Sequence, residues 1–244
     1  MAAARVTSAL VFAIVAAAGN VIGALAVTRR STTSLRVIEH FVAFGAGFML
    51  AVCLTEIVPA ALVRSGPAAP LLLLLGYLAV HLTQHTLTPH FHFGEETHAV
   101  NAVAGTSALV GLLLHTFFDG VAIASALLVG PELGVMVFVA ILLHKLPEGV
   151  TISSLMLAGG RSRAVAVRSA ALLGLATVAG VLLTDSLAFL VRHGLALSGG
   201  VTLYVAASNL VPEFQGKRGW KLPAAFFAGA SVFYVTKLLL DGVL

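Results

Sequence analysis

Apolar residues run along the chain in long uninterrupted stretches, each long enough to cross a bilayer as a helix. A helix rises about 1.5 Å per residue, so about 20 apolar residues cross a hydrocarbon core about 30 Å thick. Eight stretches meet this requirement: about 6–28, 37–62, 68–88, 100–129, 132–158, 166–190, 196–213 and 223–242. Helices satisfy their backbone groups internally in lipid. The pattern therefore predicts an all-α integral membrane protein with a single transmembrane domain over residues 1–244.

The composition excludes an ordinary water-soluble domain. Hydrophobic residues make up 59% of the chain and charged residues 10%, whereas soluble domains carry about 25% charged residues. The first apolar stretch is long enough to span and has no convincing cleavage site, so no cleaved signal peptide is expected. A single cysteine, Cys53, excludes an intrachain disulfide.

The basic residues predict the orientation, because Lys and Arg concentrate in cytoplasmic loops. If the spans alternate, those after spans 1, 5 and 7 share one side: Arg29, Arg30, Arg36, Arg161, Arg163, Arg168, Lys217, Arg218 and Lys221. The other side keeps Arg5, Arg64, Arg192 and Lys237. We expect a cell (inner) membrane protein with both termini outside the cytoplasm and a cytoplasmic loop at 86–100. Orientation explains the net charge of +4 better than a nucleic-acid partner does.

Spans 2 and 7 carry a weak internal repeat. The segment 45–59 aligns without gaps to 198–212, with these identical pairs: Gly47 and Gly200, Leu50 and Leu203, Val52 and Val205, Val58 and Val211, Pro59 and Pro212. Spans 2 and 7 are antiparallel in an eight-span chain. The alignment predicts an inverted repeat of helices 1–3 and 6–8 around a central helix pair 4–5, as in many transporters. Chance similarity between Gly-rich apolar helices is the alternative.

The central pair contains ionisable residues in a doubled pattern. His115 and Asp119 in span 4, and His144 and Glu148 in span 5, are each four residues apart and followed by glycine. Residues at this spacing share one helix face, and imidazole and carboxylate are ligands of divalent transition metals. Both histidines lie about 20 Å from the turn near Gly130, at 1.5 Å per residue. Because burying such groups in a membrane is costly, we expect an intramembrane cation site.

These two motifs resemble the signatures of the ZIP (Zrt/Irt-like) metal transporters, prokaryotic type. The resemblance implies import of Zn²⁺, or of Fe²⁺ or Mn²⁺, into the cytoplasm by alternating access, with the ion as substrate and no prosthetic group. It implies that His115, Asp119 and Glu148 are ligands and that His144 occupies a family metal-site position. Met49 lies where some members contribute a thioether.

The chain departs from the binuclear pattern of some bacterial members. Thr116, Lys145 and, less directly, Thr177 stand where those members carry Asn, Asp and Glu. We interpret this as a single-metal site in which the charge of Lys145 replaces a second ion. The alternative is a neutral Lys145, since a desolvated lysine can lose its proton.

Two further groups are candidate metal contacts. Glu56 shares a helix face with Met49 and Cys53 and lines either an access path or the membrane interface. His90, His92 and His98 lie in the 86–100 loop. Histidine-rich tracts favour metal binding, and a polar interfacial loop is the alternative.

Two other functions compete with metal transport. Three protein ligands and a water on Zn²⁺ would make a membrane-embedded hydrolase, but no dedicated acid–base motif is present. A proton-coupled carrier of another solute would use the same groups as a relay, although the doubled ligands fit a metal better. We expect a transporter rather than an enzyme. Gly- and Ala-rich helix faces are also compatible with a homodimer.

Overall fold

The computed structural model describes residues 2–29, 35–86, 102–215 and 217–243. Within these ranges the chain is helical and contains no β-strand. The helices are α1 (Ala2–Thr28), α2 (Leu35–Val52), α3 (Val58–Ser65), α4 (Ala69–Thr86), α5 (Ala102–Val129), α6 (Pro131–Ala158), α7 (Arg163–Ser186), α8 (Ala188–Tyr204), α9 (Pro212–Gln215) and α10 (Lys221–Val243). The prediction of an all-α chain is confirmed.

Seven helical segments among the described residues are long and apolar enough to cross a membrane. Five of them lie within single long helices, Ala188–Leu210 continues from α8 into a π-helical turn, and the seventh is the 46-residue segment Glu39–Gln84. That segment is interrupted by a 3₁₀ turn at Gly66–Ala68, where Gly66 adopts φ +58°. A residue with a side chain is strained at this φ, so glycine permits the turn.

The outer surface of the helix assembly is apolar and the interior holds polar groups. Large aliphatic side chains such as Leu71, Leu175 and Leu238 are more than half exposed, whereas Asp119 and Lys145 are buried. Water-soluble proteins show the opposite arrangement. With the long apolar helices, this arrangement identifies an integral membrane protein.

The border between the sixth and seventh predicted stretches lies elsewhere in the structure. The predicted stretch 166–190 runs past Ser186, where α7 ends, and α8 begins at Ala188 rather than near 196. Leu187 separates the two helices in an extended conformation (φ −114°, ψ 109°). Hydropathy did not reveal this turn because Leu187 and the residues after it are apolar.

Two π-helical turns interrupt the helices at related places, Cys53–Ile57 and Val205–Leu210. The N–H groups of Val58 and Val211 donate to carbonyls five residues earlier, those of Cys53 and Ala206. A proline follows each of these valines, at Pro59 and Pro212. Proline has no N–H to donate and crowds the preceding turn, and a π turn is one way for a helix to adapt.

The long helices form two groups. We call α1, α5, α6 and α7, which pack against one another, the site bundle. The second bundle consists of α2, α3, α4, α8 and α10, in which α2 packs on α10 and α4 on α8. The two bundles meet mainly where α2 crosses α6 and where α5 crosses α8.

Within each bundle, glycines allow helix backbones to touch. A β carbon at any of eight described glycines would overlap a backbone carbonyl oxygen of the neighbouring helix. The glycine–carbonyl pairs are Gly23–Leu146, Gly149–Asn20, Gly120–Thr177, Gly180–Phe117, Gly47–Phe226, Gly229–Phe44, Gly76–Leu197 and Gly200–Leu73. Lipid provides no hydrophobic driving force between helices, so the close van der Waals packing that small residues allow stabilises these crossings instead.

Substituting Gly47 by Ala should therefore separate α2 from α10 and destabilise the protein. Overpacking of this kind costs about 1–3 kcal/mol, measured as a fall in the thermal unfolding midpoint in detergent. Gly105→Ala is the matched control, because its β carbon would lie 3.4 Å from the nearest atom, the Leu155 carbonyl oxygen. Equal stability of the two variants would contradict the proposed packing role of Gly47.

Candidate metal site

Helices α5 and α6 together bury five ionisable side chains that we call the site cluster. They are His115 and Asp119 on α5, and His144, Lys145 and Glu148 on α6, each at most 7% exposed. Gly130, extended between the two helices, lets α6 follow α5 directly. The two chain segments with the same spacing therefore face one another, as the sequence predicts.

Three potential ligand atoms of the cluster lie at nearly equal separations. Asp119 Oδ2 is 3.3 Å from His115 Nε2 and 3.3 Å from His144 Nε2, and the two imidazole nitrogens are 3.4 Å apart. Tetrahedral ligands with metal bonds of about 2.05 Å are themselves separated by about 3.3–3.4 Å. The triangle thus has the dimensions of one face of a tetrahedral site. These three residues also form a group of ligand atoms close enough to hold one ion.

The Lys145 ammonium group joins the two carboxylates. Its Nζ donates to Asp119 Oδ2 at 2.6 Å and to Glu148 Oε2 at 2.8 Å, and the side chain is completely buried. Asp119 Oδ2 is consequently shared between the lysine and both histidines. A cation that binds this oxygen must compete with the ammonium group or displace it.

The histidine tautomers can be assigned in part from their neighbours. His144 Nδ1 lies 3.2 Å from the Ala140 carbonyl oxygen, which can only accept a hydrogen bond. In the Nδ1–H tautomer, Nε2 keeps its lone pair for a metal but cannot donate to Asp119 Oδ2, 3.3 Å away. His115 Nδ1 and Glu148 Oε1 are buried and have no hydrogen-bond partner among the described residues. The cluster therefore retains unused polar capacity on both helices.

Thr116 and Thr177, the positions of the departures from the binuclear pattern, are both buried. Each hydroxyl donates to a carbonyl of its own helix, Thr116 to Leu113 at 3.1 Å and Thr177 to Leu173 at 3.4 Å. In this structure these hydroxyls are directed to the helix backbone.

The other predicted contacts lie apart from the cluster or outside the described residues. Met49 is 1% exposed and belongs to a large apolar cluster that also contains Met136 and Ile141 of α6. Glu56 forms a partly exposed ion pair with Lys237 of α10 at 2.9 Å. His90, His92 and His98 are not among the described residues, so their metal binding remains a prediction.

Sequence analysis missed one buried polar residue next to the cluster. Asn20 on α1 is 0% exposed, and neither its amide oxygen nor its amide nitrogen has a partner among the described residues. Its carbonyl oxygen packs against Gly149, the residue after Glu148. Its signal in the sequence is an amide in the middle of an otherwise apolar span, outside the His–carboxylate spacing.

The helices and the cluster define a polytopic α-helical membrane protein with a buried set of metal-ligand side chains. The family model described as ZIP zinc transporter matches residues 85–237. This match covers more than half of the chain, which therefore belongs to the ZIP zinc transporter family, whose members transport divalent metals. The resemblance inferred from the motifs of α5 and α6 is confirmed. A comparison with curated proteins finds no match.

Replacing Lys145 with Met should destabilise the metal-free protein and alter metal selectivity. The two carboxylates would lose their buried counter-charge, and breaking such a pair costs about 3–5 kcal/mol. Thermal unfolding with and without Zn²⁺ should show a lower midpoint without metal and a larger stabilisation by metal than in the wild type. A set of flux measurements with Zn²⁺, Mn²⁺ and Cd²⁺ should show a changed preference.

Lys237→Met is the matched control, because the ion pair of Lys237 with Glu56 is partly exposed and such pairs contribute about 0–1 kcal/mol. Wild-type stability and transport preference in Lys145→Met would contradict the view that its charge replaces a second ion.

Proposed function

We propose that this protein carries a divalent transition metal across the membrane into the cytoplasm by alternating access, with Zn²⁺ as the favoured substrate. The observation that carries the proposal is the triangle formed by Asp119 Oδ2 and the two histidine Nε2 atoms, whose sides of 3.3, 3.3 and 3.4 Å suit a tetrahedral ion. Family membership supports metal transport in general and favours it over the hydrolase alternative.

A single ion is bound in this proposal. His115, Asp119 and His144 supply three ligands, and Glu148 supplies the fourth once it exchanges its hydrogen bond with Lys145 for a bond to the metal. The ammonium group occupies the space between the two carboxylates, so it neutralises charge that a second cation would otherwise neutralise. Mixed imidazole and carboxylate ligands suit Zn²⁺ and also accept Fe²⁺ or Mn²⁺.

Eight spans follow if Glu39–Gln84 crosses the membrane twice. The turn at Gly66–Ala68 divides this segment into α2–α3 and α4, and each part has the length of one crossing. The spans are then α1, α2–α3, α4, α5, α6, α7, α8 and α10. With eight alternating spans both termini lie on one side, and the distribution of basic residues favours the outside for the termini and the cytoplasm for the 86–100 loop.

Two observations support an inverted repeat of spans 1–3 and 6–8. The 153-residue shift that aligns Gly47 with Gly200 also relates the π turn at Cys53–Ile57 to the one at Val205–Leu210. The same shift converts the carbonyl–glycine crossing of α2 and α10 into that of α8 and α4. It relates Phe44 to Leu197, Gly47 to Gly200, Leu73 to Phe226 and Gly76 to Gly229.

The bundle arrangement suggests how the site gains access to each side. All five cluster residues lie in the site bundle, where the close glycine crossings hold α1, α5, α6 and α7 together. Contacts between the bundles are concentrated at two helix crossings. A movement of the site bundle as one body against the second bundle would carry the ion across while the ligands keep their geometry. Met49 and Glu56 lie on the second bundle, where we place an access path for the ion.

Zn²⁺ influx into proteoliposomes loaded with a fluorescent chelator tests the function and the site together. Wild-type protein should give influx. The influx through His115→Ala and Glu148→Ala should fall to the level of protein-free liposomes, because each substitution removes a proposed ligand. His193→Ala and Glu132→Ala are controls of the same residue types that lie outside the cluster.

Failure to move Zn²⁺, Fe²⁺, Mn²⁺ or Cd²⁺ would reject transport by the wild type. Stoichiometric metal binding with hydrolytic activity and without influx would instead favour the membrane-embedded hydrolase. Equal influx in all four variants would reject the proposed ligands while leaving transport in place.

The 86–100 loop is proposed to bind metal on the cytoplasmic side. Replacing His90, His92 and His98 together by Ala should lower the number of Zn²⁺ ions bound at equilibrium and leave the core site functional, because all three positions precede the first cluster residue, His115, by 17 residues or more. Equilibrium dialysis gives the stoichiometry, and the influx assay gives the core function. Unchanged stoichiometry and unchanged influx would remove the loop from metal handling.

A further inference from the structure

Asn20 of α1 buries a side-chain amide that has no hydrogen-bond partner among the described residues. Asparagine offers two donors and two acceptor lone pairs, and leaving such groups buried and unpaired costs about 1–3 kcal/mol. Asn20 is 0% exposed, and both side-chain polar atoms lack a partner among the described residues. A buried amide of this kind points to a partner other than the helices, such as an ion or a buried water.

The position of Asn20 connects it to the α6 half of the cluster. Its Cα lies 2.8 Å from the point that a Gly149 β carbon would occupy, directly after Glu148. The preceding residue, Gly19, has its β-carbon position 3.1 Å from Lys145 Cβ. The α1 backbone therefore passes the residues that hold Lys145 and Glu148. Glu148 Oε1 is itself buried and unpartnered among the described residues, so two unused polar groups lie near the same glycine crossing.

The crossing of α6 with α1 at Asn20 has a counterpart in the crossing of α5 with α7. A shift of 29 residues relates His115 to His144, Asp119 to Glu148 and Gly120 to Gly149. Gly120 packs against the Thr177 carbonyl of α7, as Gly149 packs against the Asn20 carbonyl of α1. Asn20 and Thr177 are therefore equivalent positions beside the two acidic residues.

The side chains at these two equivalent positions differ in their hydrogen bonding. The Thr177 hydroxyl is satisfied by the Leu173 carbonyl of its own helix, while the Asn20 amide is unsatisfied. On the α5 side the neighbour of His115 is Thr116, whereas on the α6 side the neighbour of His144 is Lys145. The half that contains the lysine thus also contains the available amide.

We propose that Asn20 is a fifth cation ligand, whose side-chain oxygen binds the transported ion on the Lys145–Glu148 side of the cluster and expands the four-ligand site to five-coordinate. An amide oxygen is a neutral ligand, so it adds coordination without adding charge to a site that already holds two carboxylates and an ammonium group. The Asn20 amide also remains a polar neighbour of Glu148 when that carboxylate exchanges its hydrogen bond with Lys145 for a bond to the ion. This inference rests on the proposed transport function.

Zn²⁺ affinity of the purified full-length protein, measured by calorimetry with the metal alone, tests the role. Asn20→Leu keeps a similar shape and removes both polar atoms. We expect its Zn²⁺ affinity to fall about 10- to 100-fold, the range found when groups that support a metal site are removed. The affinity for Mn²⁺ should fall more than that for Cd²⁺, because an oxygen ligand suits the harder ion.

Two further measurements separate a ligand from a structural amide. The thermal midpoint of metal-free Asn20→Leu should be equal to or above that of the wild type, because an unpaired amide has been replaced by an apolar group. Asn20→Asp keeps an oxygen, adds a charge and should bind Zn²⁺ more tightly than the wild type. It also serves as the second test if Asn20→Leu does not fold.

Ser125→Ala is the matched control. Like Asn20, Ser125 on α5 is fully buried and its polar side-chain atom has no partner among the described residues. It lies beside Gly194 of α8 and its substitution should leave Zn²⁺ affinity unchanged. Wild-type affinity in both Asn20 variants overturns this proposal and leaves the transport function standing. Absence of Zn²⁺ binding and influx in the wild type overturns both.

Discussion

The burial of charge in a lipid-compatible bundle is the constraint on which the rest of the structure depends. Two carboxylates and an ammonium group meet at 2.6 and 2.8 Å with almost no exposure. Such groups are costly to remove from water unless they are paired. The ammonium group satisfies one oxygen of each carboxylate, and the remaining negative character of the cluster favours a cation.

Close helix contact is what makes this pairing geometrically feasible. Gly120 and Gly149 directly follow the two acidic residues, and each allows a neighbouring helix backbone to touch. Because these crossings follow Asp119 and Glu148 by one residue, the packing of α1 and α7 fixes the rotation of α6 and α5. The same contacts that stabilise the bundle in lipid therefore hold the Asp119 oxygen and the two histidine nitrogens at separations near 3.3 Å.

The fold and its site differ in symmetry. The backbone crossings are matched between the two halves of the chain, and the His–carboxylate spacing is repeated on α5 and α6. The side chains between them are not matched, since Thr116 corresponds to Lys145 and Thr177 to Asn20. The repeated scaffold thus carries one acidic residue on each half, while its only ammonium group among the site cluster, that of Lys145, lies on the α6 half.

The sequence alone determined the membrane class, most helix positions and the His–carboxylate motifs, because hydropathy and helical spacing are local properties. It did not reveal the break at Leu187, where the turn itself is apolar. Only the tertiary structure showed that one oxygen of Asp119 is shared by both histidines and Lys145. Only it placed Asn20 beside Gly149, 129 positions further along the chain. These relations depend on the angles and rotations at which helices cross, and those are set by contacts between residues distant in sequence.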